Sequence, residues 1–97
     1  MGKRTKKKAK SIITDELDYC YLCGSPYVEI HHCMYGSYRQ LSDKYGLVIP
    51  LCYEHHRGNN GVHFNKALDK QIKELAQEKF KSHYGKDIID VFGKNFI

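Results

Sequence analysis

Two short patterns hold most of the chemistry in this chain: Cys20-Tyr-Leu-Cys23 and Cys52-Tyr-Glu-His55. Each is a pair of soft or borderline ligands separated by two residues. That spacing aims two ligand atoms at one point, in the first pair around a turn and in the second across one turn of helix. Four such ligands suit a tetrahedral zinc ion. A chain of 97 residues has use for a staple of this kind, because so small a core only narrowly offsets the entropy of folding. A further thiol, Cys33, either replaces one of the four or lies buried beside a strand end, and the buried thiol is the favoured reading.

Four histidines remain: His31, His32, His56 and His63. On a helix starting at Cys52, His55 shares the face of Cys52 while His56 lies about 100° round. One short helix can therefore feed two sites. His31 and His32 are adjacent, and adjacent residues of a regular strand point to opposite faces. Both can serve one site only where the strand ends or bends at Ile30-His31. Cys33, Met34 and the glycine-containing loop after them allow that bend. Gly58 and Gly61 place His63 on a loop.

The elements that must position these groups can also be read. Val28 and Ile30 alternate with Tyr27, Glu29 and His31, which predicts a half-buried strand after the Gly24-Ser25-Pro26 turn. Residues 47–51 predict a second strand, with Pro50 at an edge or end. The connection from Tyr35 to Gly46 reads as a polar loop, so the pair is an antiparallel ribbon with a long connection. A short helix from Cys52 ends by Gly58 or Gly61. Asn65 caps a longer helix whose stripe is Leu68, Ile72, Leu75, Ala76 and Phe80, closed by Gly85. Asp87 caps a last apolar segment, residues 88–92, closed by Gly93. The expected fold class is α+β. It is one domain over residues 15–97, with a motif region at 19–63 and a helical extension at 64–97, behind a flexible basic arm at 1–14.

The formal charge is +5, and the first ten residues hold six basic residues and no acidic one. The remainder carries ten basic against eleven acidic residues. Such an arm either solubilises or adds salt-dependent affinity for nucleic acid. The segment after it is too short and acidic for a signal peptide, and residues 47–51 are too short an apolar run to span a bilayer. A soluble, cytoplasmic protein with no membrane partner is expected, and in that compartment paired Cys read as metal ligands.

The order Cys20-x2-Cys23, then Glu29-Ile30-His31-His32, then Leu51-Cys52-x2-His55-His56, resembles the HNH endonucleases of the zinc-stapled kind. The run His31-His32-Cys33, Gly36-Ser37, Tyr45-Gly46-Leu47, Pro50-Leu51-Cys52, Gly61-Val62-His63 and the closing Phe92-Gly93-Lys94-Asn95 are similar to small phage or prophage HNH-type proteins. The resemblance covers roughly residues 19–63. It implies a ββα-metal fold, a two-stranded ribbon and a helix gripping one divalent ion. By the same resemblance His32 is the general base, and His31 and His56 bind the catalytic ion. A further ligand lies a turn or two later, where Asn60 and His63 are both available and imidazole favours His63. Two departures stand out. The last zinc ligand is His55 where Cys is usual, and no Asn occupies residues 45–50, where the middle Asn of the family normally holds the loop of the base. Asp43, Tyr45 or a backbone group would have to replace it.

The function so implied is metal-dependent hydrolysis of DNA phosphodiester bonds. A neutral imidazole takes the water's proton, one divalent ion (Mg²⁺, Mn²⁺, Zn²⁺ or Ni²⁺) acts on the phosphate, and Arg39 or Arg57 clamps it. Sequence preference should be weak, because phosphate contacts position without specifying. A double-strand cut would need two sites, which a homodimer would supply, but the sequence does not fix the oligomeric state. The alternative is a zinc-stapled nucleic-acid-binding module that does not cut, which the absent Asn favours. A protein-interaction zinc domain needs no second histidine site. A redox role for Cys20 and Cys23 lacks the surrounding βαβ pattern.

Overall fold

The computed structural model describes residues 10–59 and 61–96. Residues 1–9 of the expected arm and the candidate ligand Asn60 lie outside them. Two strands, β1 (Val28–His32) and β2 (Val48–Cys52), pair antiparallel with Val28 opposite Cys52 and His32 opposite Val48. The fold is α+β, as the periodicities imply. Pro50 faces Ile30 without costing a ladder bond, because its polar side points away from β1. There its carbonyl accepts the Tyr21 amide at 2.8 Å, and the Val48 carbonyl accepts the Ser11 hydroxyl at 2.7 Å. The outer edge of β2 is thus capped by the Cys20–Cys23 turn at one end and by residues 11–13 at the other. Ile12 donates to the Gly46 carbonyl at 2.9 Å, and Ile13 is buried. Ser11 to Ile13, counted with the arm on sequence, are therefore fastened to the fold.

The connection between the strands differs from the expected loop. It contains a 3₁₀ turn at Gly36–Tyr38 and a helix, α1 (Arg39–Tyr45). Leu41 and Tyr45, four apart, pack against the core, and Gly46 takes the left-handed cap at φ 77°. The buried Ser42 hydroxyl donates to the Met34 carbonyl at 2.7 Å and accepts the Met34 amide at 3.1 Å. That clamp fixes the chain just beyond the histidine pair.

After β2 comes α2 (Tyr53–His56), one residue later than expected because Cys52 remains in the strand. Then follow α3 (Lys66–Tyr84) and α4 (Ile88–Phe92). Asn65 caps α3 by accepting the Leu68 amide at 3.1 Å, whereas Asp87 makes no side-chain cap bond to α4. Ile72, Ala76 and Phe80 form the buried stripe of α3. Phe80 packs against Tyr45, Tyr84 and Phe92, joining both C-terminal helices to α1. Among the described residues no helix is long and apolar enough to cross a membrane.

Candidate metal centres

Cys20 and Cys23 sit on the turn against the outer edge of β2, Cys52 ends β2, and His55 lies within α2. Their ligand atoms converge. Cys23 Sγ lies 3.7 Å from Cys52 Sγ, and His55 Nδ1 lies 3.7 Å from Cys20 Sγ and 3.2 Å from Cys52 Sγ. Tetrahedral zinc with ordinary bond lengths requires S···S of about 3.8 Å and S···N of about 3.6 Å. The four residues are positioned to hold a metal ion, in a geometry compatible with structural zinc. Burial works to raise the Cys20 pKa, but backbone amides of Cys52, Leu22 and Cys23 outweigh it and bring it down to about 6. Cys20 therefore leans toward the thiolate before any ion arrives. At Cys23 the Ser25 backbone amide lowers the pKa, but desolvation and the neighbouring Cys20 and Cys52 side chains outweigh it and hold the thiol above its ordinary value. Cys33 joins neither group: it is fully buried, and that burial pushes its thiol up to about 12.

A second group lies on the other side of α2. His31, His56 and His63 bring their nitrogens within 4.8 Å of one another, with ring centroids 5.0 to 5.4 Å apart. His63 reaches the group because the chain folds tightly back on α2 after residue 56. A Cβ on Gly61 would come within 2.8 Å of the His56 carbonyl carbon, so only glycine fits there. The Val62 amide then donates to the His55 carbonyl at 2.9 Å.

The chemistry of this group suits an ion. Burial first, then the neighbouring imidazoles, hold the His31 pKa down to about 3. Burial likewise lowers His63. Both rings stay neutral and keep a lone pair. His31 Nε2 is buried with no hydrogen-bond partner, a costly state that a ligated ion would relieve. His56 Nδ1 lies 2.7 Å from Glu29 Oε1, which also holds Arg57 Nε at 3.1 Å. The His56 hydrogen bond, and then Arg57, keep the Glu29 pKa low. A proton on Nδ1 leaves Nε2 free to ligate, the carboxylate–histidine–metal arrangement.

Glu29 was given no role on sequence, although its position two before His31 puts both on one face of β1. Three further neighbours were also missed. Tyr35 stacks 5.0 Å from His63, donates to Asp69 Oδ2 at 3.1 Å, and lies under Lys73, which pairs with the same oxygen at 3.0 Å. They join the loop after β1 to α3.

His32 does not share this site. β1 continues regularly through residue 32 rather than bending at Ile30-His31, so His32 points to the opposite face. There its Nε2 lies 3.3 Å from Asp43 Oδ1 on α1. The two candidate arginines separate in the same way. Arg57 stands beside Glu29 and His56, whereas Arg39 lines a cleft with His32. Comparison of the chain with protein-family models, with curated proteins and with solved structures finds no match.

Proposed function

We propose that the protein is a metal-dependent endonuclease of the HNH kind that hydrolyses DNA phosphodiester bonds. In this reading Cys20, Cys23, Cys52 and His55 hold a structural zinc, and His31, His56 and His63 hold a divalent catalytic ion. The observation that carries it is the three-imidazole group, with its orphaned His31 nitrogen and its Glu29-oriented His56. An ion bound there would supply Lewis-acid stabilisation of a phosphate and its leaving oxygen. Glu29 keeps the His56 tautomer fit for ligation. Arg57, held through Nε alone among the described residues, keeps the rest of its guanidinium for a phosphate oxygen. Asp43 favours a proton on His32 Nε2, which leaves Nδ1 to accept the proton of an attacking water.

His32 and the three imidazoles flank the end of β1 from opposite sides, so the scissile phosphate must straddle that end for both to act on it. This separation is the specific observation that favours the second reading, a zinc-stapled nucleic-acid-binding module without cleavage. Plasmid nicking with Mg²⁺, Mn²⁺, Zn²⁺ and Ni²⁺ decides between them. The nuclease reading expects cleavage with at least one ion. His32→Ala should lower the rate by roughly 10²–10⁴ with DNA affinity kept. His56→Ala should lose the second ion and cleavage together while retaining zinc. DNA binding without cleavage under every ion would overturn the nuclease reading, and a wild-type rate in His32→Ala would remove that residue as the base.

A further inference from the structure

On the face of β1 opposite the three imidazoles, an open cleft of about 650 Å³ lies between the strand, α1 and the segment that begins at Lys10. Cations outnumber carboxylates in its lining. Lys10, Arg39 and Lys44 line it, and the one carboxylate among the lining residues, Asp43, is already engaged with His32. Arg39 and Lys10 make no ion pair among the described residues. Lys44 Nζ stands 5.5 Å from the centre of the Tyr45 ring, which keeps the ammonium at the cleft. Like charges gathered in a concavity repel one another and raise the local concentration of anions.

The rest of the lining is apolar or aromatic. Ile30 and Tyr45 contribute side chains to the wall, and Tyr84 spends its hydroxyl on the Tyr45 carbonyl at 2.8 Å, which fixes its ring. Cations beside an aromatic wall suit a phosphate attached to a flat, partly apolar group. The volume falls within the ordinary range of small-ligand sites, roughly 300–1,000 Å³. Lys10 is also the last of six basic residues in the first ten, so the positive charge at the cleft is continuous in sequence with a block suited to a polyanion.

From this geometry we infer that the cleft binds a nucleotide unit of a nucleic-acid strand, its phosphate among Lys10, Arg39 and Lys44 and its base or sugar against the tyrosine wall. The inference rests on the nucleic-acid partner of the nuclease reading, and His32, the base of that reading, lines the same cleft; because the cleft uses no catalytic ion, binding without added ion tests it apart from cleavage.

The test uses the intact, zinc-loaded chain without added catalytic ion. Backbone amide NMR shifts are followed while inorganic phosphate, deoxyadenosine monophosphate or a short single-stranded DNA oligonucleotide is added. Shifts should centre on Ile30, Lys44 and Gly46, with the oligonucleotide binding tightest. Arg39→Ala should weaken oligonucleotide binding and reduce its salt slope by about 0.7, the loss of one phosphate contact on a single strand. Lys44→Ala, a second exposed position, should act in the same direction. Equal binding of the mononucleotide and the oligonucleotide would assign the cleft to free nucleotides and overturn the strand as its partner. Shifts confined to the face of Arg57 and His63, or wild-type salt slopes in both variants, would overturn the cleft altogether.

Discussion

Cys52, at the end of β2, and His55 on α2 point toward one group of ligands, and His56 points toward another. The first group has four members, three of them thiols, one of which is pulled toward the thiolate by backbone amides. The second has three members, all imidazoles: burial holds His31 and His63 toward the neutral form, and the Glu29 carboxylate orients His56. Four soft ligands at tetrahedral spacing close a coordination shell, which suits a structural ion. Three ligands leave room for something else to bind. One four-residue helix therefore feeds two ligand groups of different chemistry, because a step of one residue rotates the side chain by about 100°.

Breaking the first group should have the largest effect. Cys52→Ser removes a ligand that also ends β2, and structural zinc in small domains contributes on the order of 10–16 kcal/mol of binding free energy. We expect loss of zinc by elemental analysis together with loss of the cooperative thermal transition. Retention of that transition without zinc would mean the core suffices. Glu29→Gln probes the second group more gently. It should weaken the second ion by about 10–100-fold, the usual effect of losing a carboxylate partner to a ligating histidine, while zinc and fold persist. Isothermal titration of wild type and variant with the same divalent ion checks this.

The smallest effect expected is the acid response of His31. Its folded pKa of about 3 lies below the unfolded value near 6.5, so only the unfolded chain takes up this proton between those limits. Stability from this residue is therefore complete above about pH 6.5 and is lost as pH falls toward 3. Without the second ion, the loss at pH 5 should be on the order of 2 kcal/mol. Urea midpoints from pH 7 to pH 5 should fall less in His31→Gln than in wild type. Parallel curves would contradict it.

In the second ligand group spacing placed only His56, one step round the helix, and His31 and His63 came from the resemblance. The first ligand group was legible because spacing constrains it: Cys20 with Cys23, and Cys52 with His55. The caps of α3 were legible for the same reason, since Asn65 and Gly85 act on their own neighbours. The α1 helix was not. Its surface is polar, and its signals were brief: Leu41 with Tyr45, and Gly46 as the left-handed stop. The bend expected at Ile30-His31 failed because pairing with β2 extends to His32 opposite Val48. A resemblance between sequences cannot report how far a strand ladder runs. Tyr35, Asp69 and Lys73 were out of reach because tertiary packing alone brings residue 35 to residue 69.

If two chemically different ion sites share α2, cobalt titration of the metal-free chain resolves them. The first equivalent of Co²⁺ should give the thiolate-to-cobalt charge-transfer band of a three-sulfur tetrahedral site. A second equivalent should bind without adding to that band and should be absent in His56→Ala. Saturation at one equivalent in the wild type, or thiolate bands that grow through both equivalents, would mean that α2 does not serve two separate sites.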